Sequence, residues 1–413
     1  MMCMAPARKA STSLLLNRPL STSRVVADRT LINIDNVAFD ASDAVRYPLD
    51  AFPPSRLDLP QLIGPQTDAA MALVRYDSGL AQLPRSELLL APLRARDAVV
   101  SSRMEGTIST LEEVLRLEAD ADGRDLPATS RSADLEVALY VRALRQAEEA
   151  IREGYGISQT LIRNAHKTLL FTGRGAKSRP GEYKTEQNYI GDRRAKRIDF
   201  VPVAPEHLIY SLDKLFAFAA SGEEEDSFLP LTRIALFHAE FEAVHPFEDG
   251  NGRVGRMLVP LMLWTSGVLS APHFFVSDYF ETNKEEYIER LRRTSSHGEW
   301  TEWTVFFLNG MKEQAEQNLK TLNQIRDHYD EMRNRFRDLL RSRWSGDALD
   351  YIFANPVFRN NRFKRNAKIP EQTANAFTNK LLQEGLLVTV IPPAGRAPGM
   401  YAFPSLLEIV STS

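Results

Sequence analysis

The sequence predicts a mainly α fold: a helical bundle bearing a short β-hairpin flap, with a C-terminal unit that resembles a winged helix. Apolar residues recur at helical spacing in most segments between Ala69 and Met332. That spacing lapses from Thr172 to Pro205, where Gly173, Gly175, Pro180, Gly181 and Gly191 punctuate the chain. From Arg333 to Lys368 the composition turns basic, with ten Lys or Arg against three Asp, ahead of a helix-then-strands pattern.

Residues 1–40 read as a disordered or processed N-terminal extension, with Arg8, Lys9, Arg18, Arg24 and Arg29 among many serines and no acid before Asp28. A transit peptide has that composition. Nothing downstream supports import, so a disordered start is the expectation. An N-terminal helical region follows over 41–150. Its Pro-rich stretch from Tyr47 to Ile63 is extended, and Ala69, Leu73 and Leu80, then Leu88 to Val114, mark amphipathic helices. Gly123 and Pro127 put a loop over 119–132. Leu135 to Ala150 and Ile157 to Leu170 are helices joined by the turn Gly154-Tyr155-Gly156.

The core spans 151–332. Its flap runs from Gly181 to Val203, with Phe200-Val201-Pro202-Val203 a short strand. Helices resume over Leu208 to Ala220, Leu229 to Val244, Arg256 to Leu269, Glu281 to Arg293 and Trp300 to Met332. In the last unit, 333–413, a helix from Glu371 to Glu384 ends at Gly385 in the C′ position. Leu386 to Ile391 and Met400 to Phe403 are two strands around a Pro/Gly turn.

Composition excludes several classes. A chain of 413 residues has room for two or three domains. A net charge of -3 gives no global reason for nucleic acid or an anionic membrane as main partner. No apolar run approaches the length of a membrane span. The lone Cys3 rules out an intrachain disulfide framework and a cysteine-rich zinc site, which suits a reducing, cytoplasmic compartment.

Chemistry concentrates in His245-Pro246-Phe247-Glu248-Asp249-Gly250-Asn251-Gly252-Arg253-Val254-Gly255-Arg256. Leu231, Ile234, Ala235, Phe241 and Val244 carry a buried helix up to His245, and Pro246 ends it. A histidine at that position can act as general base near neutral pH. Gly250 and Gly252 allow close approach of backbone to a ligand. The next helix begins around Arg253, so its free N–H groups form an anion site. Arg253 and Arg256 share a helical face and suit phosphate. Asp249 is a hard oxygen ligand for magnesium. His238, on the same apolar helix, reads as a satisfied core residue.

This motif is identified with the signature of the Fic family, His-Pro-Phe-x-(Asp/Glu)-Gly-Asn-Gly-Arg-x-x-Arg, and matches it at every fixed position. The resemblance spans about Tyr47 to Met311 and implies a Fic helical bundle that transfers AMP from ATP to a Tyr, Thr or Ser hydroxyl of a protein. It implies that His245 deprotonates the target hydroxyl and Asp249 binds magnesium or manganese. Phe247 would anchor the loop. Gly250, Asn251 and Gly252 would cradle the phosphates, with Arg253 on the β- and Arg256 on the γ-phosphate. The flap would pair with the target's backbone and cover the nucleotide. Asn283 and Tyr287 would contact the adenosine.

Ser101-Ser102-Arg103-Met104-Glu105-Gly106 ends a helix, with Gly106 at C′ and Ser109-x-x-Glu112 as the capping box of the next. By itself Glu105 reads as a solvated carboxylate beside Arg103. The segment resembles the Fic inhibitory motif of the class whose inhibitory helix precedes the core, built here on Ser101, Glu105 and Gly106. That resemblance implies that Glu105 pairs with Arg256 and keeps ATP out of its productive pose. Some relatives use this glutamate to remove AMP, and that alternative stays open.

Two rivals remain. One is a transferase of the same fold with another nucleotide donor, although the intact Gly-Asn-Gly-Arg segment favours AMP. The other is a DNA-binding regulator whose winged helix carries the function and whose Fic core senses. The basic stretch favours DNA, yet the helix offers only Lys380 and the wing only Arg396. Homodimerisation or target docking explains that unit equally well.

Overall fold

The computed structural model describes residues 2–4, 25–26, 29–34, 36–83, 85–121, 131–172, 176, 178–221, 228–395 and 397–412. The readings made on residues 5–24, Asp28, Gly123, Pro127, Gly173, Gly175 and Arg396 lie outside them.

Five short strands open the chain: β1 (Met2–Met4), β2 (Val25–Val26), β3 (Arg29–Ile34), β4 (Val37–Asp40) and β5 (Val45–Arg46). Helices α1 (Leu59–Gln82), α2 (Ser86–Leu89), α3 (Ala91–Met104), α4 (Leu111–Ala121), α5 (Ser132–Arg152) and α6 (Gln159–Leu169) follow. The flap is β6 (Tyr189–Asp192) and β7 (Arg197–Val201). Then come α7 (Pro205–Ala220), α8 (Pro230–Val244), α9 (Asn251–Thr265), α10 (Ser277–Thr282), α11 (Lys284–His297) and α12 (Trp300–Leu340). The last unit holds α13 (Ser345–Ala354), β8 (Val357–Arg359), α14 (Asn360–Asn366), α15 (Glu371–Gln383), β9 (Val388–Ile391), β10 (Met400–Ala402) and α16 (Pro404–Thr412).

The mainly α fold with a hairpin flap is as the periodicity predicts, and α9 explains how the site is held. Every residue from Asn251 to Leu263 is buried. A helix covered on all sides belongs at the centre of a bundle, and its neighbours include α3, α5, α6 and α8. Trp303 on α12 locks α8 from behind, its indole N–H donating to the Ala235 carbonyl at 2.8 Å. The loop that joins α8 to α9 therefore hangs between two helices packed into the core.

Several expectations need correction. The stretch 1–40 is not wholly an extension: β3 and β4 pair antiparallel, and β4 and β5 run parallel to β7, so the flap belongs to a larger sheet. Ile34, Phe39, Ala41, Ile198 and Val201 form its small apolar core. Helix α1 begins at Leu59, inside the Pro-rich stretch, because Pro60 sits where helices tolerate proline and Asp58 accepts from the Gln61 N–H. The capping box is one residue later than predicted. Thr110 and Glu113 exchange the reciprocal bonds, while Ser109 donates to Asp134 at 2.6 Å. The unit boundaries expected at 150/151 and 332/333 fall inside α5 and α12. A change of composition on the exposed face is no obstacle to a helix where no Gly or Pro stands near the change, and α12 has none between Met311 and Leu340.

In the C-terminal unit, β8, β10 and β9 form an antiparallel sheet beside α15, so the predicted strand pair gains a third member. This unit rests on the N-terminal helical region. Ala95, Leu115, Ala119, Val357, Met400 and Ala402 share one apolar cluster. Arg359 donates to Asp120 at 2.7 Å and Arg362 to the Glu118 carbonyl at 2.8 Å.

Candidate active site

The loop between α8 and α9 is shaped by hydrogen bonds that its own sequence supplies. His245 closes α8 in the left-handed region (φ 50°), which turns the chain out of the helix. Asn251 then clamps the loop: its side chain accepts from the Phe247 N–H at 2.8 Å and donates to the Phe247 carbonyl at 2.9 Å. From the flap side, Asn188 donates to the carbonyls of His245 and Phe247 at 3.1 and 2.9 Å. Gly250 (φ 80°) is the N-cap of α9, a conformation that favours glycine.

Phe247 anchors the loop. Its fully buried ring stacks on His166 with centroids 3.8 Å apart and the planes 7° from parallel. His166 accepts from the Gly181 N–H at 2.9 Å through Nδ1, which leaves Nε2–H to donate to the Asp249 carbonyl at 2.9 Å. Burial pushes this imidazole down to about 4, so it stays neutral and keeps that tautomer. Phe247→Ala is expected to cost about 3–5 kcal/mol, read as a lower midpoint in thermal unfolding. An unchanged midpoint would refute the anchor.

His245 is 7% exposed, and its Nδ1 stands 3.1 Å from the Glu242 carbonyl. A carbonyl only accepts, so Nδ1 carries the proton and Nε2 is left as a lone-pair acceptor. Nε2 has no hydrogen-bond partner. Burial, and then the charge of Lys184, push the imidazole down to about 4. Lys184 itself is buried and donates to Asn188 at 2.9 Å and to the Val244 carbonyl at 3.1 Å.

The phosphate-type groups lie next to this base. Arg256 is buried and donates through Nε to Ser101 Oγ at 2.9 Å, and through Nη2 to the Ser101 carbonyl and to Glu105 Oε1, both at 2.8 Å. Burial acts to raise the Glu105 carboxyl, but the Arg256 charge, its hydrogen bond and the other nearby positive charges, Arg253 among them, together outweigh it and hold the group below the usual range. The same pair raises Arg256 further. Arg253 is buried between Asp249 and Glu136, each 3.6 Å away, and its Nε and Nη1 make no hydrogen bond. Asp249 Oδ1 accepts from the Gly250 N–H at 2.6 Å.

Glu105 sits on the glycine loop itself. A Cβ on Gly252 would stand 2.2 Å from Glu105 Oε1 and 2.9 Å from Arg256 Nη1. Only a residue without a side chain lets the carboxylate and the guanidinium approach the start of α9 this closely. Gly252→Ala is expected to cost about 1–3 kcal/mol by overpacking against Glu105 and Arg256. A lower midpoint in thermal unfolding measures it, and an unchanged midpoint would refute it.

One cavity is lined by His245, Asp249, Gly250, Asn251, Gly252, Arg256, Tyr287 and Glu105. The flap contributes Ile190, Asp199 and Phe200 to its wall. Arg253 stands behind the loop, Ser101 on the far side of Arg256, and Gly106 takes φ 84° just after α3. Asn283 is the exception. It joins α10 to α11, and its side chain donates to the Tyr279 carbonyl at 3.0 Å instead of facing the cavity. The Tyr287 hydroxyl bonds His238 at 2.9 Å, and His238 is a buried core residue as predicted.

The sequence reading missed Lys184, Asn188, His166, Glu242 and Lys284, whose ammonium donates to the Met104 carbonyl at 2.6 Å. Most reach the site from elements distant in the chain, so no local pattern reveals them. Glu242 is different: its spacing three residues before His245 on one helix is a usable signal.

Residues 156–263 match the Fic/DOC family model, and residues 65–149 match the Fic/DOC family N-terminal model. The chain is 33% identical over 116 residues to protein adenylyltransferase fic-1 of Caenorhabditis briggsae, covering 28% of this chain and 21% of that protein. It is 26% identical over 192 residues to a probable protein adenylyltransferase of Aquifex aeolicus, covering 46% of this chain and 53% of that one. The chain thus spans about a fifth to a half of the length of these curated relatives. In structure it is similar to a Fic family protein of Desulfovibrio desulfuricans G20, with TM-score 0.52 and 20% identity over 85% of this chain and 98% of that one. That likeness concerns the fold.

Proposed function

We propose, since this chain belongs to the Fic/DOC family, that it transfers AMP from ATP to a Tyr, Thr or Ser hydroxyl of a protein, itself included. One observation carries this reading. A histidine with an unprotonated, partnerless Nε2 opens onto the same cavity as an anion-binding loop and a buried arginine. Nucleotidyl transfer needs those parts and no covalent nucleophile.

In the proposed step the target oxygen attacks the α-phosphorus. The new O–P bond forms as the bond to the bridging oxygen breaks, pyrophosphate leaves, and the hydroxyl proton passes to His245 Nε2. The N–H groups at the start of α9 receive the charge that develops on the phosphate oxygens. Arg253 holds the β-phosphate and Arg256 the γ-phosphate. Asp249 suits magnesium, which binds through one or two carboxylates together with substrate phosphates; among the described residues there is no cluster of three or more acids, histidines or cysteines for a caged metal. Bound there, magnesium would neutralise phosphate charge.

Glu105 lies where the terminal phosphate would meet Arg256, and we read it as the inhibitory group. Strand β1 covers β6, and β4 and β5 cover β7, so an extended target segment would add to the flap at β6 by displacing β1. We read the C-terminal unit as a brace against α3 and α4 more than as a DNA reader. Arg359 is spent on Asp120, Lys364 on Glu371 and Lys380 on the Leu339 carbonyl. No helix among the described residues is long and apolar enough to cross a membrane.

The test is to incubate Glu105→Gly protein with ATP labelled at the α- or the γ-phosphate. Protein-bound label is expected from the α position alone; label from γ would make it a phosphotransferase and sink the reading. The pH profile gives a second check. Because the pKa of His245 is lowered to about 4, its base form is present at every pH above that value. The labelling rate is therefore expected to show no acid-limb inflection near the ordinary histidine value of about 6.5. A clear inflection there would show that the imidazole is not held low during turnover, and would leave the role of His245 to the His245→Ala variant.

A further inference from the structure

Three hydrogen bonds tie Arg256 to helix α3, and all three end on Ser101 or Glu105. Admission of a nucleotide requires the Glu105 side chain to leave, and Arg256 then keeps only the two neutral bonds to Ser101. A buried guanidinium without a counter-charge is strongly unfavourable. The cavity holds a second carboxylate that meets this need.

Glu242 projects from the last turn of α8 into the cavity lined by Arg256 and Glu105. Its Oε1 is buried and makes no hydrogen bond. It packs against Gly255, the residue just before Arg256, where a Cβ would stand 2.2 Å from that oxygen. Glu105 rests on Gly252 in the same manner, one turn earlier on α9. Two carboxyl groups therefore lie along one helix beside Arg256. A buried carboxyl with an unmet oxygen, kept against a glycine, has no packing role that an apolar residue would not fill better.

Building on the proposed function, we infer that Glu242 is a positioning residue: it takes up the Arg256 guanidinium when Glu105 leaves and holds it facing the terminal phosphate of the incoming nucleoside triphosphate. The guanidinium has two usable edges, so Glu242 and a phosphate can share it. While Glu105 is in place, burial and the Glu105 charge raise the Glu242 carboxyl to about 8 against the pull of Arg256. Withdrawal of Glu105 removes that repulsion and leaves Arg256 to Glu242.

The experiment is calorimetric titration of ATP and of ADP, with His245→Ala in every protein to prevent turnover. Glu105→Gly is compared with Glu105→Gly/Glu242→Gln and Glu105→Gly/Glu242→Asp. Glu242→Gln is expected to weaken ATP by about tenfold and ADP by less than about threefold, with Glu242→Asp recovering part of the loss. Equal ATP affinity with and without Glu242→Gln overturns the inference. An equal loss for ATP and ADP with a lower thermal midpoint also overturns it, because that pattern marks a merely structural residue. If Glu105→Gly protein with His245 intact transfers no label although its His245→Ala form binds ATP as expected, the proposed function fails and the Glu242 inference stands. If it labels while Glu242→Gln leaves ATP binding unchanged, only the Glu242 inference fails. No ATP binding by Glu105→Gly overturns both.

Discussion

Replacing Glu105 by glycine is expected to raise transfer of label from ATP by on the order of a hundredfold. The Glu105 carboxylate lies 2.8 Å from Arg256 Nη2 and rests against Gly252, so it occupies the ground a terminal phosphate needs. Breaking a buried ion pair by removing one partner costs about 3–5 kcal/mol. ATP must displace Glu105 against that term in the wild type, and in the variant its phosphate replaces the missing anion. Part of the gain is offset because the closed form also frees a cation for other partners, such as Glu242. An expected factor near 10² corresponds to about 2.7 kcal/mol. Glu105→Gln is a useful companion, since it keeps the shape and removes the charge, and it should fall between. Equal labelling of wild type and Glu105→Gly would remove the inhibitory reading and leave the transfer chemistry untouched.

His245→Ala in the Glu105→Gly background is expected to lower labelling by about 10²–10⁴-fold, the span typical of a lost general base. Its environment is arranged for one task. The Glu242 carbonyl fixes the Nδ1 proton, burial and Lys184 keep the ring neutral, and Nε2 has no partner. Affinity for ATP should change little, because the anion loop and Arg256 belong to α9 and do not depend on the imidazole. Labelling that survives His245→Ala within a factor of about three would assign the proton to another group.

Much of the candidate site was legible because it is local. Between His245 and Arg256 each residue type has its reason within a few positions of its neighbours: a proline that stops a helix, glycines at a turn, two arginines on one face. Gly106 and the end of α3 were legible for the same reason. At Asn283 the sequence leaves two uses open, since an asparagine at a helix junction satisfies backbone groups as readily as it contacts a ligand, and here its side chain bonds the Tyr279 carbonyl. Strands β3 and β4 pair with each other, so that hairpin was a local signal left unread; only the contact of β4 with the flap lies more than 150 residues away. The long α12 was cut short by reading a basic run as a boundary, although surface charge leaves the helix backbone indifferent.

The sequence by itself therefore determined the chemistry of the twelve-residue loop, since backbone conformation and side-chain type act there over short range. Only the tertiary structure decided what that loop faces. It buried α9 on all sides, set Lys184 and Asn188 beneath the base, and brought Glu105 across 151 residues of chain to Arg256. It also placed Glu242 against Gly255. A buried ion pair depends on which helices cover it, and that is a property of packing that no local pattern encodes.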